Sequence, residues 1–592
     1  MPDRFAAADA LAESFQRRGG QPGVAYGIVA DGHLAHAGGF GERWVGGPAP
    51  DAGTVFRIAS MTKSFTAAAV LALRDEGRLA LDDLAEKYVP ELRDLALPSP
   101  DSPPVSIRQL LTMTAGFPTD DPWGDRQQGL ALAEFSAFLA GGLSFAWAPG
   151  TRFEYSNLGY AILGRVITAA SGSAYPDFVR DRLLRPLGLA RTGFEEAEFD
   201  GVNLARGYRR GPGGWVELAP DGCGAFAPMG GVFSCVADLA RWVIGFTGAF
   251  PPGEPDAGGA HPLARATRRE MQLPQVAVVP PVLARLPGDP LRGGPLSYGL
   301  GLFVEEEPAR GRVVSHSGGY PGFGSNMRWH PETGTGVIVL ANSTYAAAHS
   351  LAAGLLDVTL QRRRPAPAAR RQAANGRAAV GHPAGPPGPW PATLAAQREA
   401  NKLLYRWSNG RANRLFSENV ARDEPYPERR RRAEVVRERI GVFGEDKKRP
   451  AEFDSPAHCR WWLRGEGGVV QAEITLTPER HPRVQSLTLA VPPAPDAPLR
   501  QVLDAVVSLL NSGARDWPAA LPVSVQLATP LLLRQLRIAG AWAGRCRPGA
   551  YQAGNGERST TVELDGEMAR LVLAVEVDAA GHLRQADITL SP

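Results

Sequence analysis

Cysteine, long apolar runs, net charge and lysine are all scarce or absent in this chain of 592 residues, and each of these bears on the possible fold or function. The chain holds only four cysteines, none in a CxxC pair, which excludes a disulfide scaffold and gives no sign of a zinc or redox site. No apolar run approaches the ~18 residues that a membrane-spanning helix needs. The formal net charge is only +3, so we expect neither nucleic acid nor a membrane as a partner.

Lysine is the fourth scarce feature. Only five of the 64 basic residues are lysine, namely Lys63, Lys87, Lys402, Lys447 and Lys448. Codon usage in a GC-rich genome accounts for most of this bias, but arginine cannot replace lysine in every role. A buried lysine can lose its proton and act as a base, whereas arginine stays protonated. A retained lysine is therefore a candidate for chemistry.

Apolar residues are plentiful, at 44% of the chain, which is enough for several buried cores. Two apolar runs joined by Asp31-Gly32 predict a β-hairpin early in the chain. Apolar spacing then predicts helices over residues 60–74, 107–111, 132–139, 160–170, 176–184 and 237–244. Strand patterns return in VVSHSGG, GSNMRWHP and TGVIVLAN. This order indicates an α+β domain whose terminal strands share one antiparallel sheet.

The rest of the chain divides into a linker and two repeats. Residues 363–393 are rich in Pro, Ala, Gly and Arg, as is typical of a linker. Helices over 395–407, 412–419 and 430–440 precede strands, and a similar order recurs after helices over 499–510 and 530–541. We therefore expect a catalytic domain over 1–362, the linker, and accessory α+β repeats over 394–495 and 496–592. The repeats are candidates for capping the cleft, forming a homo-oligomer or binding a partner.

The first twenty residues bear on cellular location. They carry Asp3, Asp9 and Glu13 where a secretory signal requires an uninterrupted apolar stretch. We therefore expect a cytoplasmic protein, which weakens any function that needs access to a cell wall.

The first candidate for chemistry is the tetrapeptide Ser60-Met61-Thr62-Lys63. At helical spacing, the hydroxyl of Ser60 and the amine of Lys63 face the same side. N–H groups at the start of a helix also stabilise negative charge that develops on a bound group. The alternative is a Ser60 that caps the helix and a Lys63 that points to solvent.

Tyr155 and Asn157 follow a Pro-Gly turn in the segment PGTRFEYSN. A phenol can relay a proton if a nearby cation lowers its pKa, and an amide can orient a base or a substrate carbonyl. The alternative is a tyrosine at the end of a strand and an asparagine that caps the next helix.

A third group, Ser315-His316-Ser317-Gly318-Gly319, closes a predicted strand. Adjacent glycines let a backbone N–H approach a substrate, as an oxyanion hole requires. The alternative is a histidine that is packed or caps an element. Taken singly, none of the three motifs identifies a site.

Together the motifs resemble those of the class C β-lactamase and penicillin-binding-protein family, in particular its esterase-like and D-peptidase-like serine hydrolases. Tyr155 follows Ser60 by 95 residues, and His316 follows Tyr155 by 161. The resemblance covers about residues 10–362 and extends to supporting segments, among them VFRIASMTKSFTA, SIRQLLTMTAGFP, FAWAPGTRFEYSNLGYAILG, RPLGLARTGF, APMGGVFSCVADLARW, SYGLGLF and GYPGFGSNMRWHPETGTGVIVLANS.

The resemblance implies a role for each residue of the first two motifs. Ser60 would be the acylated nucleophile, and Lys63 the base that activates it. Tyr155 would relay the proton to the leaving group, while Asn157 would orient Lys63 and the substrate amide. A lysine next to Tyr155 in a dry cleft loses its proton easily, so the nucleophile needs no Asp–His relay.

The resemblance also implies how the third motif takes part. His316, Ser317 and Gly318 occupy the family's Lys-Thr-Gly position, as in the esterase-like branch. The backbone N–H groups of Ser60 and Gly319 would form the oxyanion hole. We expect His316 to be catalytic and the three residues after it to bind substrate. No metal or other cofactor is expected.

Two departures from the family pattern affect the expected substrate. His316 stands in place of a lysine and removes a permanent positive charge that would hold a substrate carboxylate. β-Lactams and cell-wall peptides are therefore less natural substrates. Met113, in TMTAG, stands in a segment where relatives often show a His and a Ser-Gly. No GxSxG occurs, which argues against an α/β-hydrolase elbow.

We therefore expect a serine hydrolase that cleaves an ester or amide of a small molecule or short peptide through an acyl-enzyme on Ser60. One alternative is a transferase or transpeptidase that passes the same acyl group to an amine or alcohol. Another is a non-catalytic sensor that keeps the pocket to bind a ligand. The complete set of reactive residues counts against the sensor.

Overall fold

The computed structural model describes residues 5–361, apart from 20, 200, 212, 252–260, 279–294 and 308–310, and residues 388–590, apart from 448, 467, 491–493, 514–515, 517, 519–520, 524–528, 555 and 579–580. These residues form two compact units. The first holds residues 5–278, 295–361 and 477–482, and the second holds 388–476 and 483–590. Most of the predicted linker lies outside the described residues. Every described helix is too short or too polar to cross a lipid bilayer.

One large antiparallel sheet organises the first unit. The strands of this unit are β1 Gly23–Ala30, β2 His33–Gly41, β3 Phe56–Arg57, β4 Gly207–Gly211, β5 Gly214–Leu218, β6 Phe233–Ser234, β7 Val276–Ala277, β8 Leu296–Tyr298, β9 Phe303–Glu307, β10 Gly311–Tyr320, β11 Phe323–His330 and β12 Thr335–Ala341. The eight-stranded sheet has the order β2-β1-β12-β11-β10-β9-β8-β7. Strand β3 pairs with β6, and β4 pairs with β5.

The two ends of the domain meet in this sheet. Strands β1 and β12 pair antiparallel, and every residue of both strands is buried. Strands β1 and β2 form the predicted hairpin, in which Asp31 and Gly32 both have positive φ, at 55° and 74°. Two consecutive positive φ values suit the twist of a two-residue hairpin turn. The predicted sharing of one sheet by the terminal strands is confirmed.

Helices cover both faces of the sheet. The helices of the first unit are α1 Ala6–Gly19, α2 Thr62–Asp75, α3 Ile107–Leu111, α4 Leu132–Ala140, α5 Asn157–Ser171, α6 Tyr175–Val179, α7 Ala227–Gly230, α8 Val236–Thr247, α9 Arg265–Met271 and α10 Ala348–Gln361. Successive side chains of β12 point to opposite faces of the sheet and enter two different cores. Ile338 and Leu340 belong to the hydrophobic cluster that includes α8, whereas Val337 and Val339 belong to the cluster of α1 and α10. The sheet is therefore the middle layer of three.

Two local differences from the sequence expectation stand out in this unit. Helix α1 was not predicted. Among its described side chains the fully buried ones are the small Ala8 and Ala12, which give a weak periodic signal. The helix predicted over 176–184 consists of α6 followed by a π-helical turn, Arg180–Leu184.

The second unit contains two small antiparallel sheets, each a four-stranded meander. The first sheet holds β13 Phe443–Glu445, β14 His458–Gly465, β15 Gly468–Leu476 and β16 Val484–Ala490, and the second holds β17 Cys546–Ala553, β18 Ser559–Gly566, β19 Arg570–Val577 and β20 Leu583–Leu590. The helices are α11 Pro391–Tyr405, α12 Asn409–Leu415, α13 Glu418–Asp423, α14 Tyr426–Ile440, α15 Ala497–Ser512 and α16 Thr529–Ala543. The predicted α+β class holds for both units.

The helix predicted over 412–419 is not continuous, because two of its residues separate α12 from α13. The chain is extended at Phe416 and Ser417, between α12 and α13, because Phe416 forms a parallel bridge with Val484 and the Ser417 N–H donates to the Val484 carbonyl at 2.9 Å. Pairing with the edge of β16 therefore overrides local helix propensity. Helix α11 also begins at Pro391, inside the predicted linker, since proline is favoured in the first turn of a helix.

Candidate active site

Ser60 lies in a tight 3-10 turn, Ala59–Met61, which connects β3 to helix α2. The residue before it, Ala59, has a φ of +50°, a conformation that residues with a side chain rarely adopt. This strained residue turns the chain sharply just before Ser60. The sequence predicted a helix from residue 60 and gave no signal of the positive φ.

Lys63 is fully buried on the first turn of α2. Its Nζ lies 3.0 Å from Ser60 Oγ, 2.7 Å from Asn157 Oδ1 and 2.9 Å from the Met229 carbonyl oxygen. The alternative in which Lys63 points to solvent is therefore wrong. Of the three partners, the amide and carbonyl oxygens can only accept hydrogen bonds, whereas the Ser60 hydroxyl can also donate.

Asn157 is the first residue of α5, but it does not cap the helix. Ser156 does so, because its Oγ accepts from the Gly159 N–H at 3.2 Å. The side chain of Asn157 instead donates through Nδ2 to Asp121 and accepts through Oδ1 from Lys63. Asp121 thereby determines which way the amide faces. Sequence analysis missed this aspartate.

A second buried aspartate supports the same helix. Asp120 is fully buried and accepts from the backbone N–H groups of Asn157 and Leu158, both at 2.7 Å. Burial and, to a smaller extent, the neighbouring charge of Asp121 raise the pKa of Asp120 to about 7. The adjacent pair Asp120-Asp121 is the sequence signal that could have identified both residues.

Burial also shifts the titration of the amine. It lowers the pKa of Lys63 to about 8, although the charges of Asp121, Asp120 and Asp125 oppose the shift. A much larger fraction of Lys63 is therefore neutral near pH 7 than for an exposed lysine.

Tyr155 lies beside this amine, with its ring centroid 4.9 Å from Lys63 Nζ. The condition in which a nearby cation lowers the pKa of this phenol is not met. Burial raises the pKa of Tyr155 well above its ordinary value, the charge of Asp121 raises it further, and the Ser60 hydroxyl only partly opposes this. Tyr155 is accordingly a neutral phenol that can donate a proton.

His316 lies on β10 and is 1% exposed. Its Nδ1 lies 2.6 Å from the Ser317 carbonyl oxygen, so this nitrogen carries the proton, and its Nε2 accepts from the Tyr298 hydroxyl at 3.3 Å. Burial lowers the pKa of His316 to about 3, and the charge of Lys63 contributes. Both ring nitrogens are therefore occupied, and the ring is neutral.

The residues after His316 bring β10 against the segment that precedes Ser60. A Cβ on Gly318 would lie 2.2 Å from the Ile58 carbonyl oxygen, and a Cβ on Gly319 would lie 2.6 Å from the ring of Tyr345. Only glycine permits both approaches. Ser317 is exposed, and its Oγ accepts from Asn326 Nδ2 at 2.8 Å.

Met113, which departs from the family pattern, supports the backbone of the segment around Tyr155. It has a φ of +59°, and its carbonyl oxygen and sulfur accept from the N–H groups of Glu154 and Ser156, at 2.8 and 3.4 Å. Met113 thus holds the backbone on both sides of Tyr155.

The fold of the first unit is that of a β-lactamase/transpeptidase-like protein. A family model described as Beta-lactamase matches residues 8–361. The chain belongs to the β-lactamase family, whose relatives include penicillin-binding-protein-like serine hydrolases.

Individual relatives are distant in sequence. Protein flp of Staphylococcus aureus (strain MW2) is 27% identical over 337 residues, which are 56% of this chain and 62% of that protein. Penicillin-binding protein 4* of Bacillus subtilis (strain 168) is 25% identical over 306 residues, or 49% of this chain and 61% of that protein. The chain thus spans about three fifths of the curated relatives it matches.

A solved structure matches the fold over the whole chain. It is described as the octameric penicillin-binding protein homologue from Pyrococcus abyssi, with a TM-score of 0.55 and 18% identity. The match covers 100% of this chain and 99% of that one.

The first prediction concerns Asp121. We expect Asp121→Ala to lower kcat for whichever substrate this site turns over by about 10- to 100-fold, because a hydrogen bond to a charged group contributes about 1.5–3 kcal/mol. Loss of the negative charge also lowers the pKa of Lys63, so the pH–rate profile shifts to lower pH.

Asp121→Asn is the matched control, since it keeps an acceptor for Asn157 but removes the charge. It should show the same shift with a smaller loss of kcat. An unchanged kcat in Asp121→Ala would contradict the assignment of Asp121 as the residue that positions Asn157, and unshifted profiles in both variants would contradict the effect of its charge on Lys63.

The second prediction concerns stability at acid pH. The pKa of His316 is about 3 in the folded protein against an ordinary 6.5, so the unfolded chain binds more protons between these values. Stability is therefore lost as the pH falls below 6.5, by about 2 kcal/mol between pH 7 and pH 5. His316→Gln should lose less Tm over this interval than the wild type, because the other titrating groups are common to both proteins. Equal losses would contradict the prediction.

Proposed function

We propose that this protein is a serine hydrolase that cleaves an ester or amide of a small molecule or short peptide through an acyl-enzyme on Ser60. The observation that carries the proposal is the set of contacts around the buried Lys63 Nζ. In the neutral amine, two N–H bonds donate to Asn157 Oδ1 and the Met229 carbonyl, at 2.7 and 2.9 Å. The lone pair then faces Ser60 Oγ at 3.0 Å, where it can accept the hydroxyl proton.

The reaction divides into two balanced steps. As Ser60 Oγ attacks the carbonyl carbon, its proton passes to Lys63 Nζ. The bond to the leaving group then breaks, the phenol of Tyr155 protonates the departing atom, and the phenol regains a proton from Lys63. Water repeats the sequence on the acyl-enzyme and releases the acid. The N–H groups of Ser60 and Gly319 would stabilise the oxyanion in both steps.

The state of His316 bears on the substrate class. A neutral ring with both nitrogens engaged offers no positive charge to a substrate carboxylate. The proposal therefore favours esters and amides that carry no carboxylate at this position over β-lactams.

The proposal is tested with p-nitrophenyl acetate and butyrate, by following turnover and intact protein mass together. We expect turnover with a transient acyl adduct, both lost in Ser60→Ala. An exposed serine elsewhere, as in Ser508→Ala, serves as the control that retains both. Turnover that persists in Ser60→Ala would overturn the assignment of the nucleophile.

The same experiment separates the alternatives. A stable adduct that is released only when an amine or alcohol is added would indicate acyl transfer rather than hydrolysis. A stable adduct that no acceptor releases would indicate a ligand sensor. The cytoplasmic location stays a prediction from the sequence.

We also propose that the second unit mediates association with a second copy of the chain. Ile538 and Trp542 are 53% and 64% exposed and lie four residues apart in α16, so they share one apolar face. The similar structure from Pyrococcus abyssi is described as octameric.

Association of two copies through this apolar face would be visible in the mass of the particle in solution. Trp542→Glu should reduce the particle mass of the full chain in light scattering, because it places a charge in the apolar contact. Arg537→Glu on the same helix is a matched charge control. A monomeric wild type, or an unchanged mass in Trp542→Glu, would contradict this role.

A further inference from the structure

We propose that the first unit holds a second binding site, for a small zwitterion of the size of a free amino acid or dipeptide. The site is a cavity of about 380 Å³ whose lining includes neither Ser60 nor Lys63. Part of its wall is apolar, formed by Leu204, Pro220 and Phe323, and its charged lining residues include Arg57 and Glu196. A small-molecule site typically combines such an apolar wall with a few polar groups that orient the ligand.

Arg57 supplies a donor for a carboxylate. It is 2% exposed, and its guanidinium lies between the rings of Phe233 and Tyr320, with centroids at 4.6 and 4.5 Å. Nη2 donates to the Asp221 carbonyl at 2.5 Å, whereas Nη1 is buried without a hydrogen-bond partner among the described residues. A buried donor without a partner destabilises the protein, and a hydrogen bond to a ligand oxygen would remove this cost. A carboxylate matches the geometry of a guanidinium best.

Glu196 supplies the opposite charge. It is half-buried in the turn Glu196–Glu198, and in the part of the chain that the structure describes no ion pair joins it to Arg57. The other carboxylate of the lining, Glu217, is already engaged, because it pairs with Arg206 at 3.3 Å and accepts from the Tyr208 hydroxyl at 3.2 Å. The cavity is therefore left with one guanidinium and one carboxylate that are not paired with each other. A ligand with both an ammonium and a carboxylate satisfies this pair.

The site is tested by isothermal titration calorimetry of the full chain carrying Ser60→Ala, which prevents turnover of the ligand. The probes are alanyl-alanine in its L,L and D,D forms, together with the N-acetyl and C-amide derivatives of each. We expect saturable binding of at least one free dipeptide, and about tenfold weaker binding when either end is blocked. Glu196→Gln should weaken the free dipeptide about tenfold but leave the N-acetyl derivative unchanged, because that derivative already lacks the ammonium.

Glu195→Gln is the matched control, and it should leave binding unchanged because Glu195 is an exposed carboxylate next to Glu196 that does not line the cavity. The blocked ligands test the role of Arg57 without any change to that buried residue. Absence of saturable binding, equal binding of the N-acetyl form, or no effect of Glu196→Gln would overturn the proposal. Ester turnover by the wild type is measured separately, so failure of this site and failure of the hydrolase proposal give different results.

Discussion

Replacement of Lys63 by arginine should lower kcat/KM for ester hydrolysis by about a thousandfold or more, as expected when a general base is lost. Lys63 is fully buried and has a pKa of about 8, so it can take a proton from Ser60 and release it again. Arginine keeps its proton and cannot do so. Steady-state kinetics with p-nitrophenyl butyrate would measure the effect, and the transient acyl adduct should disappear with it.

A chemical control separates loss of the base from a disturbed fold. In Lys63→Ala the missing amine leaves a gap, which added methylamine or ethylamine can enter. We expect a saturable increase in turnover that follows the concentration of the neutral amine and not that of its cation. A fully folded Lys63→Ala variant, with unchanged Tm, that no amine rescues would contradict the assignment of Lys63 as the base.

The wild-type pH profile provides an independent check. The neutral amine is the active form, so kcat/KM should rise about tenfold per pH unit below pH 8 and level off above it. A profile that is flat between pH 6 and pH 8 would show that no group with this pKa controls the reaction.

Tyr155→Phe should produce a loss that depends on the leaving group. Burial holds the pKa of Tyr155 well above its ordinary value, so the phenol carries a proton to donate. For an alkyl ester or an amide, whose leaving group needs that proton, we expect a loss of about a hundredfold. For a p-nitrophenyl ester the loss of kcat/KM, which reports the acylation step, should be small, because p-nitrophenolate leaves in that step without a proton.

Tyr160→Phe is the matched control for this experiment. Tyr160 is also buried beside the amine, with its ring centroid 5.7 Å from Lys63 Nζ, but its hydroxyl donates to the Leu111 carbonyl. It should show no dependence on the leaving group. Equal losses of Tyr155→Phe on both kinds of ester would instead indicate that the phenol takes the proton from Ser60.

The β-hairpin and the sheet of the first unit could be predicted because their signals are local. Asp31-Gly32 suits the hairpin turn, and uninterrupted apolar runs identify β1 and β12. Helix α1 escaped prediction because its fully buried residues are small alanines. The helix predicted over 412–419 is interrupted because Phe416 pairs with a strand almost seventy residues later. The boundaries of the two accessory repeats stay a prediction.

The sequence by itself determined which reactive residue types the chain carries and in what order, from Ser60 and Lys63 to Tyr155, Asn157 and His316. Only the tertiary structure decided their chemical states. The lowered pKa of Lys63, the raised pKa of Tyr155 and the neutral ring of His316 all follow from burial. How deeply a side chain is buried depends on which distant segments surround it, and this cannot be predicted from the residues next to it in the sequence.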